Sequence, residues 1–166
     1  MSPGGGGGPA RPLTLTFLGT RGGIEARSRR HARHSVLRVA HRGRTVLLDC
    51  GADWRGRVRR LAPDAILLTH AHPDHAGGLA GGAPCPVYAV AATWATLRAA
   101  AVTDRRVLTP RRHHRVAGLA VQAFPLVHSQ RAPAVGYRIR AGGAAFFYAP
   151  DVAALPAARA ALRGLA

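Results

Sequence analysis

Three histidines and an aspartate stand within six positions in Thr69-His70-Ala71-His72-Pro73-Asp74-His75. They follow directly on residues 65–69, a continuous apolar run of the kind that forms a buried strand. Residues two apart share a face as an extended chain leaves a strand, so His70 and His72 can point the same way. The turn imposed by Pro73 can then bring Asp74 and His75 to a neighbouring point. Neutral imidazole and carboxylate are the ligands that divalent zinc, manganese or iron accept. Four such groups packed together crowd charge unless a cation sits among them. The alternative, a histidine-rich surface loop, does not account for four ligand-type residues at a strand end.

The elements around this cluster have a consistent pattern. Residues 13–18 read as a strand closed by Gly19, and residues 21–34 as a polar, basic loop around Gly22-Gly23. Residues 35–39 and 45–48 form a β hairpin about Arg42-Gly43, the second arm running into Asp49-Cys50-Gly51. Trp54, Val58 and Leu61 have helical spacing before Pro63. After the cluster come a strand at 86–90, a helix at 92–101, a short strand at 107–108 and a strand at 119–124 leading to His128. Strands at 134–140 and 144–148 follow, the latter delivering Asp151, and an alanine-rich helix covers 155–162. Strands mixed with helices predict an α/β layered architecture.

Composition narrows the partners. The 166 residues suit one domain, with residues 1–10, mostly Gly and Pro, as a disordered lead-in and residues 11–166 as the folded unit. There are 24 basic residues against 7 acidic ones, and every basic residue is arginine. A GC-rich coding sequence explains the choice of arginine over lysine. It explains the shortage of acids less well, which leaves a preference for an anionic partner, nucleic acid included. Arg21, Arg27, Arg29 and Arg30 could contact phosphates or form a solvated basic loop. Cys50 and Cys85 make no CxxC pair and read as small buried residues. No secretory signal and no apolar run of membrane-spanning length is seen, so a cytoplasmic location and no membrane partner are expected. His31, His34, His41, His113 and His114 read as solvated.

His70-x-His72-x-Asp74-His75 resembles the signature of the metallo-β-lactamase superfamily. The likeness continues in Leu18-Gly19-Thr20, which resembles the ribonuclease Z and phosphonate-pathway phosphodiesterase branch, and in Leu47-Leu48-Asp49-Cys50-Gly51. It extends through Ile66-Leu67-Leu68-Thr69, Pro125-Leu126-Val127-His128-Ser129 and Tyr148-Ala149-Pro150-Asp151. The resemblance implies a four-layer αββα fold and two metal sites. His70, His72 and His128 would hold one ion, Asp74 and His75 the other, and Asp151 would bridge them. Asp74 would also be the catalytic carboxylate. Asp49 would orient a ligating histidine or the metal-binding loop. Taken alone, His128 could be a structural histidine, Asp151 a helix N-cap, and Asp49 a simple strand end.

The resemblance further implies a hydrolase that uses a metal-bound hydroxide between ions about 3.5–4 Å apart, with two zinc ions expected and manganese or iron as alternatives. The basic surface favours a phosphodiester substrate. Carboxylic esters, thioesters, lactones and β-lactams are the other candidates, and a metal-binding or nucleic-acid-binding remnant is the competing class. No long arm for transfer RNA is recognisable. No histidine follows His128, whereas the superfamily normally supplies one more to the second ion. The expectation is a truncated chain with an incomplete second half and a weakened second site, whose uncovered sheet an oligomer could protect.

Overall fold

Small and branched apolar residues dominate the central strands, and both faces of those strands are covered. The computed structural model describes residues 12–97, 101–128 and 133–165. The lead-in at 1–10 lies outside the described residues, as do Ser129 and part of the helix expected at 92–101. A six-stranded sheet has the order β1 (Thr14–Gly19), β2 (Val36–His41), β3 (Arg44–Leu48), β4 (Ala65–Leu67), β5 (Val87–Val90) and β6 (Arg105–Leu108). The first three strands are antiparallel, and β3 to β6 are parallel. Four antiparallel strands, β7 (His114–Val116), β8 (Leu119–Leu126), β9 (Ala134–Ala141) and β10 (Ala144–Tyr148), make the second sheet.

The sheets face each other across one core. Leu37, Val39, Val46, Leu48, Ala65 and Leu67 from the first sheet meet Val121, Ala123, Tyr137 and Ile139 from the second. The opposite face of the first sheet carries Leu47, Ile66, Leu68 and Val87, packed on Trp54, Val58 and Leu79. Alternation along β3 and β4 therefore serves two cores at once, which is why these strands read as unbroken apolar runs.

The helical layer is thin. Helices α1 (Pro73–Ala76), α2 (Ala91–Thr96) and α3 (Ala158–Leu162) are short. The helix expected from Trp54 to Leu61 is instead two 3-10 turns, Ala52–Trp54 and Val58–Leu61, separated at Gly56, whose φ of 70° no helix accommodates. The hairpin about Arg42-Gly43 is present, with positive φ at both central residues, as a type I′ turn requires. Strand β7 was not expected. The sequence suggests that its residue His114 is solvated, but the Thr109 amide donates to the His114 ring nitrogen at 3.1 Å. No helix among the described residues is long and apolar enough to cross a membrane.

Candidate metal centre

Every residue singled out for metal chemistry lies at the same end of the sandwich. Asp49 follows β3, His70 follows β4, His128 follows β8 and Asp151 follows β10. His72 is the extended N-cap of α1, Pro73 starts the helix at a position that needs no N–H, and Asp74 and His75 occupy its single turn. The chain can make this turn tightly because Gly51 lies beneath it. A Cβ there would fall 2.1 Å from the Asp74 carbonyl oxygen.

Two donor groups result. The ligand-type atoms of His70, His72, His128 and Asp151 all lie within 4.8 Å of one another, and so do those of Asp74, His75 and Asp151. His72 Nδ1 is 3.1 Å from His70 Nε2 and 3.3 Å from His128 Nε2. Ligand nitrogens of a tetrahedral zinc ion, bonded at about 2.05 Å, sit about 3.3 Å apart. The Asp151 carboxylate reaches His75 Nε2 at 3.3 Å, His70 Nε2 at 3.6 Å and His128 Nε2 at 3.7 Å, so it stands between the two groups.

The support beneath is more tightly built. Asp49 is fully buried and holds a left-handed backbone, with φ at 65°. Its Oδ1 accepts hydrogen bonds from the Thr69 amide at 2.8 Å and the Thr69 hydroxyl at 2.9 Å. Its Oδ2 lies 2.8 Å from His75 Nδ1, which fixes the proton there and turns Nε2 toward the carboxylates of Asp74 and Asp151. Thr69 Oγ1 is also 3.0 Å from His70 Nδ1, so the hydroxyl can donate to Asp49 and accept from His70. Tyr148 reaches Asp49 at 3.4 Å, and buried Tyr137 donates to the Leu68 carbonyl at 2.6 Å. Thr69 and Tyr148 were not singled out from the sequence. Both stand in segments that carry the family resemblance, and Thr69 is also the one polar side chain closing an apolar run, but neither signal assigns them a role.

Burial and the surrounding carboxylates pull His70 and His75 in opposite directions. Burial, with the neighbouring His75 and His72, pulls His70 down to about 3, so it is a neutral donor. Burial also disfavours charge on His75, but the carboxylates of Asp151, Asp49 and Asp74 outweigh it and push His75 up to about 12. Asp74 is held down to about 2 despite its burial, chiefly by His75. Contact with His75 first, against some burial, keeps Asp151 below the usual carboxylate range. Yet His75 Nε2, wholly buried, makes no hydrogen bond to either neighbouring carboxylate. An orphaned imidazole nitrogen among carboxylates fits a metal ion better than it fits a closed protein network.

The structure rules out three of the readings open for neighbouring residues. Asp151 does not cap the following helix, which starts seven residues later behind Ala157. Arg21 is not free for phosphate. It is buried and its guanidinium pairs with Asp53 at 2.7 Å, while also donating to the Ile24 carbonyl. His34 is not solvated, because its amide donates to Asp53 at 3.0 Å and its carbonyl accepts from the Trp54 indole. This knot pins the ends of the 21–34 loop. Arg27 joins it at 3.1 Å from an exposed position, and Arg29 and Arg30 remain exposed. Cys50 is buried, as expected, and Cys85 is only half-buried.

Comparisons with known proteins agree with this geometry. Ribonuclease Z from Bradyrhizobium diazoefficiens is 38% identical over 74 residues, which are 42% of this chain and 24% of that protein. The matched stretch thus spans about a quarter of that relative's length. Among solved structures, a diphosphatase from the PhnP family superposes with a TM-score of 0.72 at 27% identity, covering 93% of this chain and 72% of the other. The zinc-bound PqqB from Methylobacterium extorquens superposes with a TM-score of 0.71 at 22% identity, covering 91% and 70%, and shares the fold. Residues 44–166 match the profile of the family described as Beta-lactamase superfamily domain, and the chain belongs to that family, with its metallo-β-lactamase fold.

Proposed function

We propose that this protein is a metal-dependent hydrolase acting on a phosphodiester. The observation that carries the proposal is the convergence of His70, His72, His128 and Asp151 beside Asp74 and His75, with the buried His75 Nε2 lacking a hydrogen bond. His70, His72 and His128 would hold one ion, Asp74 and His75 the other, and Asp151 would touch both. Zinc suits this mixture of imidazole and carboxylate, and manganese or iron are compatible. Such ions supply a nucleophile from water near neutral pH and stabilise charge on a phosphoryl oxygen.

The chain's own residues prepare that chemistry. Asp49 holds the proton on His75 Nδ1, and Thr69 does the same for His70, so both rings present Nε2 to the centre. Asp74, the proposed catalytic carboxylate, stays ionised and acts as an acceptor rather than an acid. The buried platform of Asp49, Thr69 and Tyr137 removes reorganisation from the reacting geometry. A phosphodiester is supported by three features: the excess of arginine, the similarity to ribonuclease Z, and the likeness to a diphosphatase above a quarter identity.

A second reading, metal binding without turnover, rests on the donor count of the Asp74, His75 and Asp151 group, which has a single imidazole. The test is hydrolysis of bis(p-nitrophenyl) phosphate by the zinc- or manganese-loaded protein. His72→Ala is expected to lower kcat/KM by about 100-fold or more. Activity that persists in this variant overturns the metal mechanism. Two bound ions with no turnover of phosphodiesters, carboxylic esters, thioesters or lactones support the second reading.

A further inference from the structure

The opposite end of the sandwich holds a cleft of about 430 Å³ whose charged lining side chains are all arginine. Three hairpins meet there: β2 with β3, β7 with β8, and β9 with β10. Arg42, Arg44, Arg115 and Arg140 line it, together with His41 and His113, and no acidic side chain does. Strand register explains how the arginines converge. Arg115 is paired across to Ala120, and Ala120 to Arg140, so the two arginines flank a methyl group on one row of the second sheet. The row is two strand spacings wide, about 10 Å, and two long side chains can close over the small Ala120 onto a common ligand. The β2–β3 hairpin supplies the other wall from the first sheet.

This charge is largely uncompensated. Arg44 pairs with Asp64 at 2.7 Å, whereas Arg42, Arg115 and Arg140 have no ion-pair partner among the described residues. At the same cleft, His41 Nδ1 is buried without a hydrogen-bond partner. Several guanidinium groups held together without counter-charge make a strongly positive local potential. Their planar forks match phosphate oxygens. No Phe, Tyr or Trp lines the cleft, so nothing there offers a stacking platform for a base.

We propose that this cleft is a second anion site, which binds a phosphate group through Arg115, Arg140 and Arg42 at the end of the sandwich remote from the metal centre. The separation follows from the strands. The eight residues of β9 run from the metal-centre end to the cleft, about 25 Å. A phosphate held in the cleft therefore does not touch the metal ligands, and the site stands independently of the hydrolase proposal.

The test is titration of the full chain with pyrophosphate, followed by the backbone amide signals of Gly118 and Gly142 in two-dimensional NMR. Both amides are expected to shift with saturation. Arg115→Ala combined with Arg140→Ala is expected to raise Kd about tenfold or more. Arg59→Ala combined with Arg60→Ala removes the same charge from another exposed surface and is expected to change Kd by less than about threefold. Equal weakening by the two pairs, or shifts confined to the residues around His70 and Asp151, would overturn the proposal. A single-stranded RNA oligonucleotide that displaces pyrophosphate at these amides assigns the phosphate to a nucleic-acid backbone. Pyrophosphate binding without such competition assigns it to a small anion.

Discussion

Two aspartates tie the adjacent parallel strands β3 and β4 together, one at each end. Asp49 follows β3 and accepts from the Thr69 amide just beyond β4. Asp64 precedes β4 and accepts from the Thr45 amide within β3 at 2.7 Å. The device is the same: a carboxylate satisfies an amide of the neighbouring strand. The surroundings differ. Asp49 is wholly buried and its second oxygen fixes His75, while Asp64 keeps 27% of its side chain exposed and its second oxygen meets Arg44. Burial and the choice of imidazole over guanidinium convert a strand tether into the foundation of the proposed metal centre. In water the tether is weak, because solvent competes for both partners. Inside the protein the same bonds have no substitute.

The sharpest way to break the comparison is Asp49→Ala. It leaves the Thr69 amide and His75 Nδ1 buried without their acceptor. The expected cost is about 3 kcal/mol or more in chemical denaturation, since a partner of a buried charged network is removed. Zinc affinity is expected to fall by about 10- to 100-fold, because the histidine is no longer held in one tautomer. An unchanged affinity by competition with a chelating dye would show that Asp49 is only a strand tether, like Asp64.

Gly51→Ala acts on the same foundation through sterics. Its Cβ would meet the Asp74 carbonyl at 2.1 Å, which is backbone and cannot turn aside. A loss of about 2–3 kcal/mol and disturbed metal binding are expected, as for other overpacked sites. Thr69→Val is a milder probe that keeps the shape and removes the hydroxyl between Asp49 and His70. It should cost about 1–2 kcal/mol, with a drop in metal affinity larger than that of any change at Asp64. Equal effects at Thr69 and Asp64 on metal binding would erase the distinction between the two ends.

The two ends also differ in how much of them could be read in the sequence. The cluster was legible because four candidate ligands are adjacent in the chain and the strand that delivers them is uniformly apolar. His128 and Asp151 needed the family resemblance, since each is a lone polar residue at a strand end. The Arg21, His34 and Asp53 knot was not legible. Its members lie up to 32 positions apart, and a charged loop residue looks the same whether it is solvated or folded back. Strand β7 escaped because its first two residues, His114 and Arg115, carry the polarity of a loop. Pairing with β8 through the Ala117-Gly118 turn, both residues at positive φ, makes it a strand. The arginine cleft has no sequence motif at all, because register across three strands, rather than spacing along one, brings Arg115 and Arg140 to either side of Ala120.

Asp64→Ala tests the exposed tether, and pH sets the sign of its effect. The Thr45 amide, assisted by Arg44 and opposed by partial burial, holds the Asp64 carboxyl below the usual carboxylate range. A carboxylate whose folded pKa is depressed contributes stability that is fully present above its unfolded pKa. That contribution is lost as pH falls through the folded value. Urea denaturation of the native protein and Asp64→Ala should therefore differ by about 1 kcal/mol or less at pH 7, with the native protein more stable. The difference should shrink as pH is lowered below about 4. It should also shrink in high salt, because Arg44 is 65% exposed and its charge is readily screened. Zinc affinity should not move. A gap that widens toward acid pH would mean that Asp64 is held by burial rather than by its donors, and the contrast between the two strand ends would then rest on Asp49 alone.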